Sequence, residues 1–161
     1  MNDIIYLGYT TMTHGLKGHL KFYSQFERKN ILLKGNVNVI IDGVKHVITK
    51  ASIDKNHYLI IIDGLNDINL VEEYRNKDIY LERKELKLGD NEYLYQDLIG
   101  FDIIDNEENL GKVKNISYNN SVLLYIEHDK NYYLPLIDEY IVKVDLLEKK
   151  IIVRNAKELI I

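Results

Sequence analysis

Residues 92–111 read EYLYQDLIGFDIIDNEENLG, and three signals meet within that span. Tyr93 and Tyr95 stand two apart around Leu94, so on an extended segment both rings fall on one side and Leu94 on the other. From Asp97 to Ile104 the residues are mostly β-branched or aromatic and are interrupted by one glycine, which predicts a strand with a bend or bulge at Gly100. The polar run Asp105, Asn106, Glu107, Glu108, Asn109 closes a hairpin, and Leu110, Gly111, Lys112, Val113 begin the return strand. Strand, acidic turn and strand in so short a span argue for an all-β fold.

The flanking chain carries the same pattern. Downstream, Val113, Ile116 and Tyr118 lead to an Asn119-Asn120 turn able to adopt positive φ. Val122–Ile126 then pairs across residues 128–131 with Tyr132, Tyr133 and Leu134. The single proline, Pro135, ends that strand, where a missing N–H costs least. Ile141, Val142, Val144 and Ile151, Ile152, Val153 form a last hairpin about the turn at residues 145–149.

Upstream, Ile4–Tyr9 reads as a short apolar strand ending in a Thr-rich turn, and HGLKG follows at residues 14–18. Its two glycines, three apart, imply a tight loop before Leu20 and Phe22 re-enter a strand. Val37, Val39 and Ile41 alternate toward Asp42-Gly43, a two-residue hairpin turn before Val44, His46 and Ile48. His57–Ile62 is a further strand. Residues 67–74 predict a two-turn helix capped by Asn66 or Asp67, with Leu70, Val71 and Tyr74 plugging a barrel, and Ile79, Tyr80 and Leu81 close it.

The chain of 161 residues has strand signals with turns every roughly 8–12 residues, which suggests two small all-β units. Units of about 75–85 residues bury only about 60–65% of their unfolded surface, so each needs a closed sheet. The boundaries that follow are a barrel over 1–84, a charged linker over 85–92 and a second barrel over 93–161, with one or two short helices. No cysteine is present, which excludes disulfides and a thiolate zinc site and fits a reducing cytoplasm. No apolar run of about 18 residues occurs and the start lacks a basic n-region, so a soluble, cytoplasmic, monomeric protein with no membrane partner is expected.

Charge divides unevenly. Residues 1–85 carry 12 Lys/Arg against 11 Asp/Glu, and residues 86–161 carry 9 against 14. Capture of RNA chiefly through phosphates calls for a basic surplus, so it is not supported by net charge. The acidic second half suits a basic protein partner, or serves solubility alone.

Catalytic constellations are missing. The 14–18 loop has too few residues between its glycines for a P-loop and no Lys-Ser/Thr pair. His14 and His19 lack an acidic or cysteine co-ligand, so no metal is expected there. Asp105, Glu107 and Asn109 alternate like the first calcium-loop ligands, but Leu110 falls where the loop glycine belongs. Adjacent acids such as Glu72-Glu73 and Asp138-Glu139 point apart. No nucleophile elbow or dinucleotide fingerprint appears, so the expectation is a binding protein without cofactor.

Two resemblances sharpen this. The DLIGFDI, acidic turn and LGKV pattern resembles the opening hairpin of the PRC-barrel family, a binding fold. The start LGYTTMTHGLKGHLK resembles the N-terminal signature of the RimM family of ribosome maturation factors, or 16S rRNA processing proteins, with Leu7, Gly8 and His14–Gly18 in the places of its strand, glycine and HGLKG loop. A translation-factor-like six-stranded barrel followed by a PRC-barrel is the RimM order, and Leu134-Pro135 and Lys143-Val144-Asp145 sit where its LiP and VkxVD strings fall. Departures exist. Ile68, Val71 and Asn76 stand where the family usually has Arg, Ala and Gly, although Asp67 and Glu72 match, and Ser121 replaces a frequent Asp.

The resemblance implies an assembly factor that binds the immature small (30S) subunit head and assists 16S rRNA processing without chemistry. Its partners are the small-subunit precursor, small-subunit ribosomal protein nineteen and 16S rRNA. Tyr93, Leu94 and Tyr95 match the family's paired-aromatic motif, with Leu94 and Tyr95 replacing a Tyr and a Trp, and with Asp97 and Pro135 they form the expected protein-binding set. Packing between the two barrels is the competing role for the rings. A possible rRNA contact comprises His14, Gly15, Lys17, Gly18 and Lys21, where glycines let the backbone approach a phosphate. The alternative to the ribosomal reading is a generic PRC-barrel adaptor.

Overall fold

The computed structural model describes residues 3–118 and 120–161, so Asn119 of the expected Asn-Asn turn lies outside the described residues. The chain divides into two compact units, Met1–Leu88 and Gly89–Ile161.

The first unit is a closed six-stranded barrel of β1 (Ile4–His14), β2 (His19–Tyr23), β3 (Val37–Ile41), β4 (Val44–Asp54), β5 (His57–Ile62) and β6 (Asp78–Glu82), in the order β1-β2-β5-β4-β3-β6. β6 closes it by pairing antiparallel with both β1 and β3. The β3–β4 turn takes positive φ at Asp42 and Gly43, the geometry an Asp-Gly hairpin supplies. Inward residues of all six strands, among them Leu7, Phe22, Val39, Ile48, Ile60 and Ile79, form one buried core.

β1 is longer than its sequence suggests. It runs through Thr10–His14 without a turn, because the threonines are β-branched and one of them anchors the barrel end. Thr10, fully buried, donates from Oγ1 to the Tyr74 carbonyl at 2.6 Å and accepts from the Lys77 amide at 2.9 Å. That holds the plug segment, where α1 (Ile68–Val71) is followed by a 3-10 turn over Glu72–Tyr74. Asp67 is the cap, its carboxylate accepting from the Asn69 amide at 2.7 Å. Val71 is buried and Tyr74 packs on the core, but Leu70 is 46% exposed, a correction to the expected plug: so short a helix presents only one apolar turn inward.

Gly8 decides the path of β1. A β-bulge falls between Tyr6 and Gly8 on the β6 side. A Cβ at Gly8 would stand 2.1 Å from the Tyr23 carbonyl oxygen and 2.7 Å from Phe22 Cζ, so the bulge lets β1 pass close over β2 only without a side chain.

The second unit is a six-stranded sheet, with β7 (Asp102–Asp105), β8 (Glu108–Ser117), β9 (Leu123–Glu127), β10 (Tyr132–Pro135), β11 (Ile141–Asp145) and β12 (Lys150–Val153) in the order β10-β9-β8-β7-β12-β11. β7 and β12 run parallel and the other pairs antiparallel. Among the described residues no ladder joins β10 to β11. Inward residues from both ends of the sheet nevertheless share one core, Leu134 of β10 with Ile151 of β12 and Val144 of β11, so the sheet wraps on itself as a barrel. A terminal 3-10 turn, Ala156–Leu159, packs against β10.

The opening stretch differs from expectation in its first half. Tyr95–Leu98 is a 3-10 turn and the strand starts only at Asp102, because Gly100 (φ 93) turns the chain between them. Its second half forms the expected hairpin, with the turn at Asn106-Glu107 in positive φ. The segment expected as linker begins within a 3-10 turn, Arg83–Leu86.

Two outcomes follow from these contacts. Gly8→Ala should destabilise the chain by about 2–3 kcal/mol, read as a lowered urea midpoint, and an unshifted midpoint would contradict the close approach. Tyr132, 4% exposed, donates to the Leu110 carbonyl at 2.8 Å, and burial, with Asp105 second, pushes its phenol up to about 12. A raised tyrosine pKa means the neutral form is favoured by folding, so this stabilisation is intact below the unfolded value near 10 and is lost as pH rises toward 12. Tyr132→Phe should cost about 1–2 kcal/mol at neutral pH, and the gap to wild type should narrow between pH 10 and 12 in urea titrations. A gap independent of pH would show that the phenol is not held neutral.

Candidate functional site

In the second unit the expected protein-binding residues gather at one end of the sheet. Leu94 is extended and 2% exposed, and the 3-10 turn after it is locked reciprocally: the Leu94 amide donates to Asp97 Oδ2 at 2.8 Å and the Asp97 amide donates to the Leu94 carbonyl at 2.9 Å. Asp97 is therefore a capping residue, a structural use its spacing three after Leu94 allows. Tyr93 and Tyr95 are half-buried against the core of the second unit. Tyr95 meets Tyr118 with ring centroids 5.9 Å apart, and Gln96 Nε2 donates to the Tyr118 hydroxyl at 3.3 Å.

Register brings Pro135 to the same end. Pro135 pairs with Leu123, and Leu123 with Ser117, the residue before Tyr118. Ile99 and Ile137, 42% and 45% exposed, extend the apolar character of this part of the unit.

In the first unit His14 and His19 are cross-strand partners at the head of the β1–β2 hairpin, and residues 15–18 form the turn. His14, Gly15 and Lys17 are exposed, Lys21 is half-buried on β2, and Gly18 is buried. Gly18 has φ 85, and a Cβ there would lie 2.3 Å from the Leu65 carbonyl oxygen, so the loop rests on the backbone after β5. Burial first, then the neighbouring His14, Lys17 and Lys50, hold the His19 imidazole below its usual range. Among the described residues no group of three or more His, Asp or Glu is placed to hold a metal.

Sequence reading missed a second feature of this barrel. Tyr6 and Tyr80 are cross-strand partners with edge-to-face rings 5.4 Å apart, and Tyr9 and Tyr23 are cross-strand partners stacked at 5.7 Å and 17°. His57 continues the row at 5.2 Å from the Tyr23 ring. Tyr6 and Tyr9 are three apart, a spacing that on a regular strand sends them to opposite faces. The bulge at Gly8 returns both to the outside, where they are 49% and 46% exposed. A glycine inside a strand pattern was the available signal.

The chain is thus a tandem of two small β units, with exposed aromatic and basic groups on the first. Residues 5–86 match the family model of the RimM N-terminal domain and residues 95–159 that of the RimM PRC barrel domain. The ribosome maturation factor RimM of Campylobacter curvus (strain 525.92) is 33% identical over 160 residues, covering 91% of this chain and 90% of its own. That of Staphylococcus aureus (strain bovine RF122 / ET3-1) is 28% identical, covering 96% and 97%. The solution structure of the N-terminal domain of RimM from Thermus thermophilus is similar at a TM-score of 0.45 and 20% identity, covering 52% of this chain and 93% of that one. The chain belongs to the RimM family of ribosome maturation factors. No helix among the described residues is long and apolar enough to cross a membrane.

The loop geometry gives a contrast test. Gly18→Ala meets the Leu65 carbonyl, whereas a Cβ at Gly15 meets nothing within 4 Å, although both glycines have positive φ. Gly15→Ala should cost about 1 kcal/mol from backbone strain alone and Gly18→Ala at least about 2 kcal/mol, measured by urea denaturation. Equal costs would mean that the loop does not rest on Leu65.

Proposed function

We propose that this protein is an assembly factor that binds the immature small ribosomal subunit at its head and assists 16S rRNA processing by holding protein and RNA in place, without turnover of its own. The observation that carries this is the match of both units, over residues 5–86 and 95–159, to the two domains of one family whose relatives are named ribosome maturation factors. It acts in the cytoplasm as a monomer.

The two units divide the work in this reading. Tyr93, Tyr95 and Pro135 form the surface for small-subunit ribosomal protein nineteen, with the buried Leu94 and the cap of Asp97 setting the turn that presents the rings. Half-buried rings suit that role, because they are held in place before binding and lose little rotamer freedom. The formal surplus of acids in residues 86–161 suits a basic ribosomal protein. His14, Gly15, Lys17 and Lys21 form the rRNA contact, with the buried Gly18 seating the loop on Leu65 and the two lysines offered to phosphate.

Co-sedimentation with affinity-purified small-subunit precursors tests the assignment: the full chain should travel with precursors and be released from mature subunits. Tyr93→Ala combined with Tyr95→Ala should weaken binding by about 2 kcal/mol or more per ring, with a melting temperature close to wild type. Unchanged affinity, or a collapsed fold, rejects the anchor role, and a chain that ignores precursors but retains a non-ribosomal protein is an adaptor.

A further inference from the structure

The row of rings on the first barrel has no part in the surfaces above. It crosses four neighbouring strands, β6, β1, β2 and β5, with Tyr80, Tyr6, Tyr9, Tyr23 and His57 in turn. Four of these are tyrosines, three of them at least 36% exposed, on a face where short polar residues would satisfy solvent at lower cost.

The charges beside the row discriminate between partners. On β2 the outward positions are His19, Lys21 and Tyr23, two apart, so the basic run leads directly into the aromatic one. Lys17 lies in the turn just before His19, and Lys50 on β4 pairs with Ile61 of β5, next to Ile60, the partner of Leu20. Among the described residues no ion pair joins Lys17, Lys21 or Lys50 to a carboxylate. The three acids along the row are engaged: Asp78 accepts from the Tyr6 hydroxyl at 3.2 Å, Asp54 Oδ2 lies 3.4 Å from His57 Nε2, and Glu82, two after Tyr80, pairs with Lys45 at 3.4 Å and Lys84 at 3.2 Å. Unneutralised cations beside exposed rings suit a partner that is anionic and carries flat π-surfaces. A basic peptide would meet the same rings but be repelled by the lysines.

We infer that the outer face of β6, β1, β2 and β5 is a platform for single-stranded RNA, with unpaired bases stacking on Tyr6, Tyr9 and Tyr80, Tyr23 supporting Tyr9 from beneath, and the backbone running over Lys21, Lys17 and Lys50. Paired RNA is a poor ligand because its bases are already stacked and its grooves do not present their faces. Stacking also tolerates any base, so the platform selects an unpaired conformation rather than a sequence. This deepens the assembly-factor reading and rests on it for the choice of RNA: the ligand there is a stretch of rRNA that has not yet paired.

Fluorescence anisotropy with the full chain tests the platform, using a labelled oligouridylate of about 12 nucleotides and a hairpin RNA of the same length. The single strand should bind more tightly than the hairpin. Tyr9→Ala with Tyr6→Ala should weaken it at least about tenfold, while Tyr9→Phe with Tyr6→Phe should retain it, since the ring and not the hydroxyl carries the contact. Lys21→Gln with Lys50→Gln should reduce the salt dependence. Should the alanine pair fail to fold, wild-type chain photocrosslinked to a 4-thiouridine oligonucleotide gives an independent reading, with adducts expected within residues 4–23 and 78–82. Preference for the hairpin, full affinity in a folded alanine pair, or adducts confined to residues 89–161 would each overturn the platform. Precursor co-sedimentation of the wild type separates the two ideas: loss of oligonucleotide binding with co-sedimentation intact defeats the platform alone, and the reverse defeats the assembly-factor reading alone.

Discussion

The missing side chain at residue 8 is the constraint on which the first barrel turns. With any Cβ there, β1 is pushed off the Tyr23 carbonyl, and the bulge that lets β1 serve both β2 and β6 cannot form as it stands. Closure depends on it, since β6 completes the barrel by pairing with β1 on one side and β3 on the other. A small unit of this kind has little core to spare, and an open edge would expose a row of unpaired amides as well as part of that core. The same bulge resets which residues of β1 face outward. One glycine thus links the stability of the barrel to the composition of its surface.

The second unit solves its edges differently. β7 and β12 lie parallel, so the chain must travel through four intervening strands before returning to pair. Parallel neighbours need such a long connection, and here the connection is itself most of the sheet. The entrance to β7 is fixed before the strand starts, by the reciprocal bonds between Leu94 and Asp97, with Leu98 buried just beyond. Tyr93 and Tyr95 flank that lock, so their positions are set by backbone hydrogen bonds as well as by packing. A ring held in this way is pre-organised, which lowers the entropic cost of using it as an anchor.

How much could be read from the residues alone depended on whether the signal was local. Asp42-Gly43 and Asn106-Glu107 announce their turns because positive φ is a property of two residues and their neighbours. Alternation in β3 and the placement of Pro135 at a strand end are equally local. Two features were not legible for the same reason. Tyr93–Ile104 is rich in strand-forming residues, yet Gly100 and the Asp97 cap break it into a 3-10 turn and a short strand, a competition that propensity alone does not resolve. The tyrosine row is assembled from β1, β2 and β6 by register, and a bulge of one residue inverts the parity on which any reading of faces relies. Of the candidate site, the residue types at 93–97 and 14–21 are visible in the sequence, while the capping role of Asp97 and the support of Gly18 by the Leu65 carbonyl arise only from the folded backbone.

In the proposed reading, charge and shape suit the two units to different partners without any catalytic group being needed. Formal balance is close to neutral over residues 1–85, so the basic groups there matter by placement and not by number: Lys17, Lys21, Lys50 and the two histidines converge on one end of the β1–β2 hairpin. A small focused cluster gives weak, salt-sensitive attraction to phosphate, which by itself binds any nucleic acid. Affinity that discriminates must then come from groups beside the cluster, and aromatic faces are the groups on this barrel that respond to whether a base is paired. Over residues 86–161 the acids outnumber the bases, so phosphate is disfavoured and a cationic protein surface is not. A chain built this way can touch RNA with one unit and protein with the other, and neither contact needs to be strong. Two modest affinities on one polypeptide multiply when both sites are present together on a particle, and fall back to either alone when maturation removes one of them.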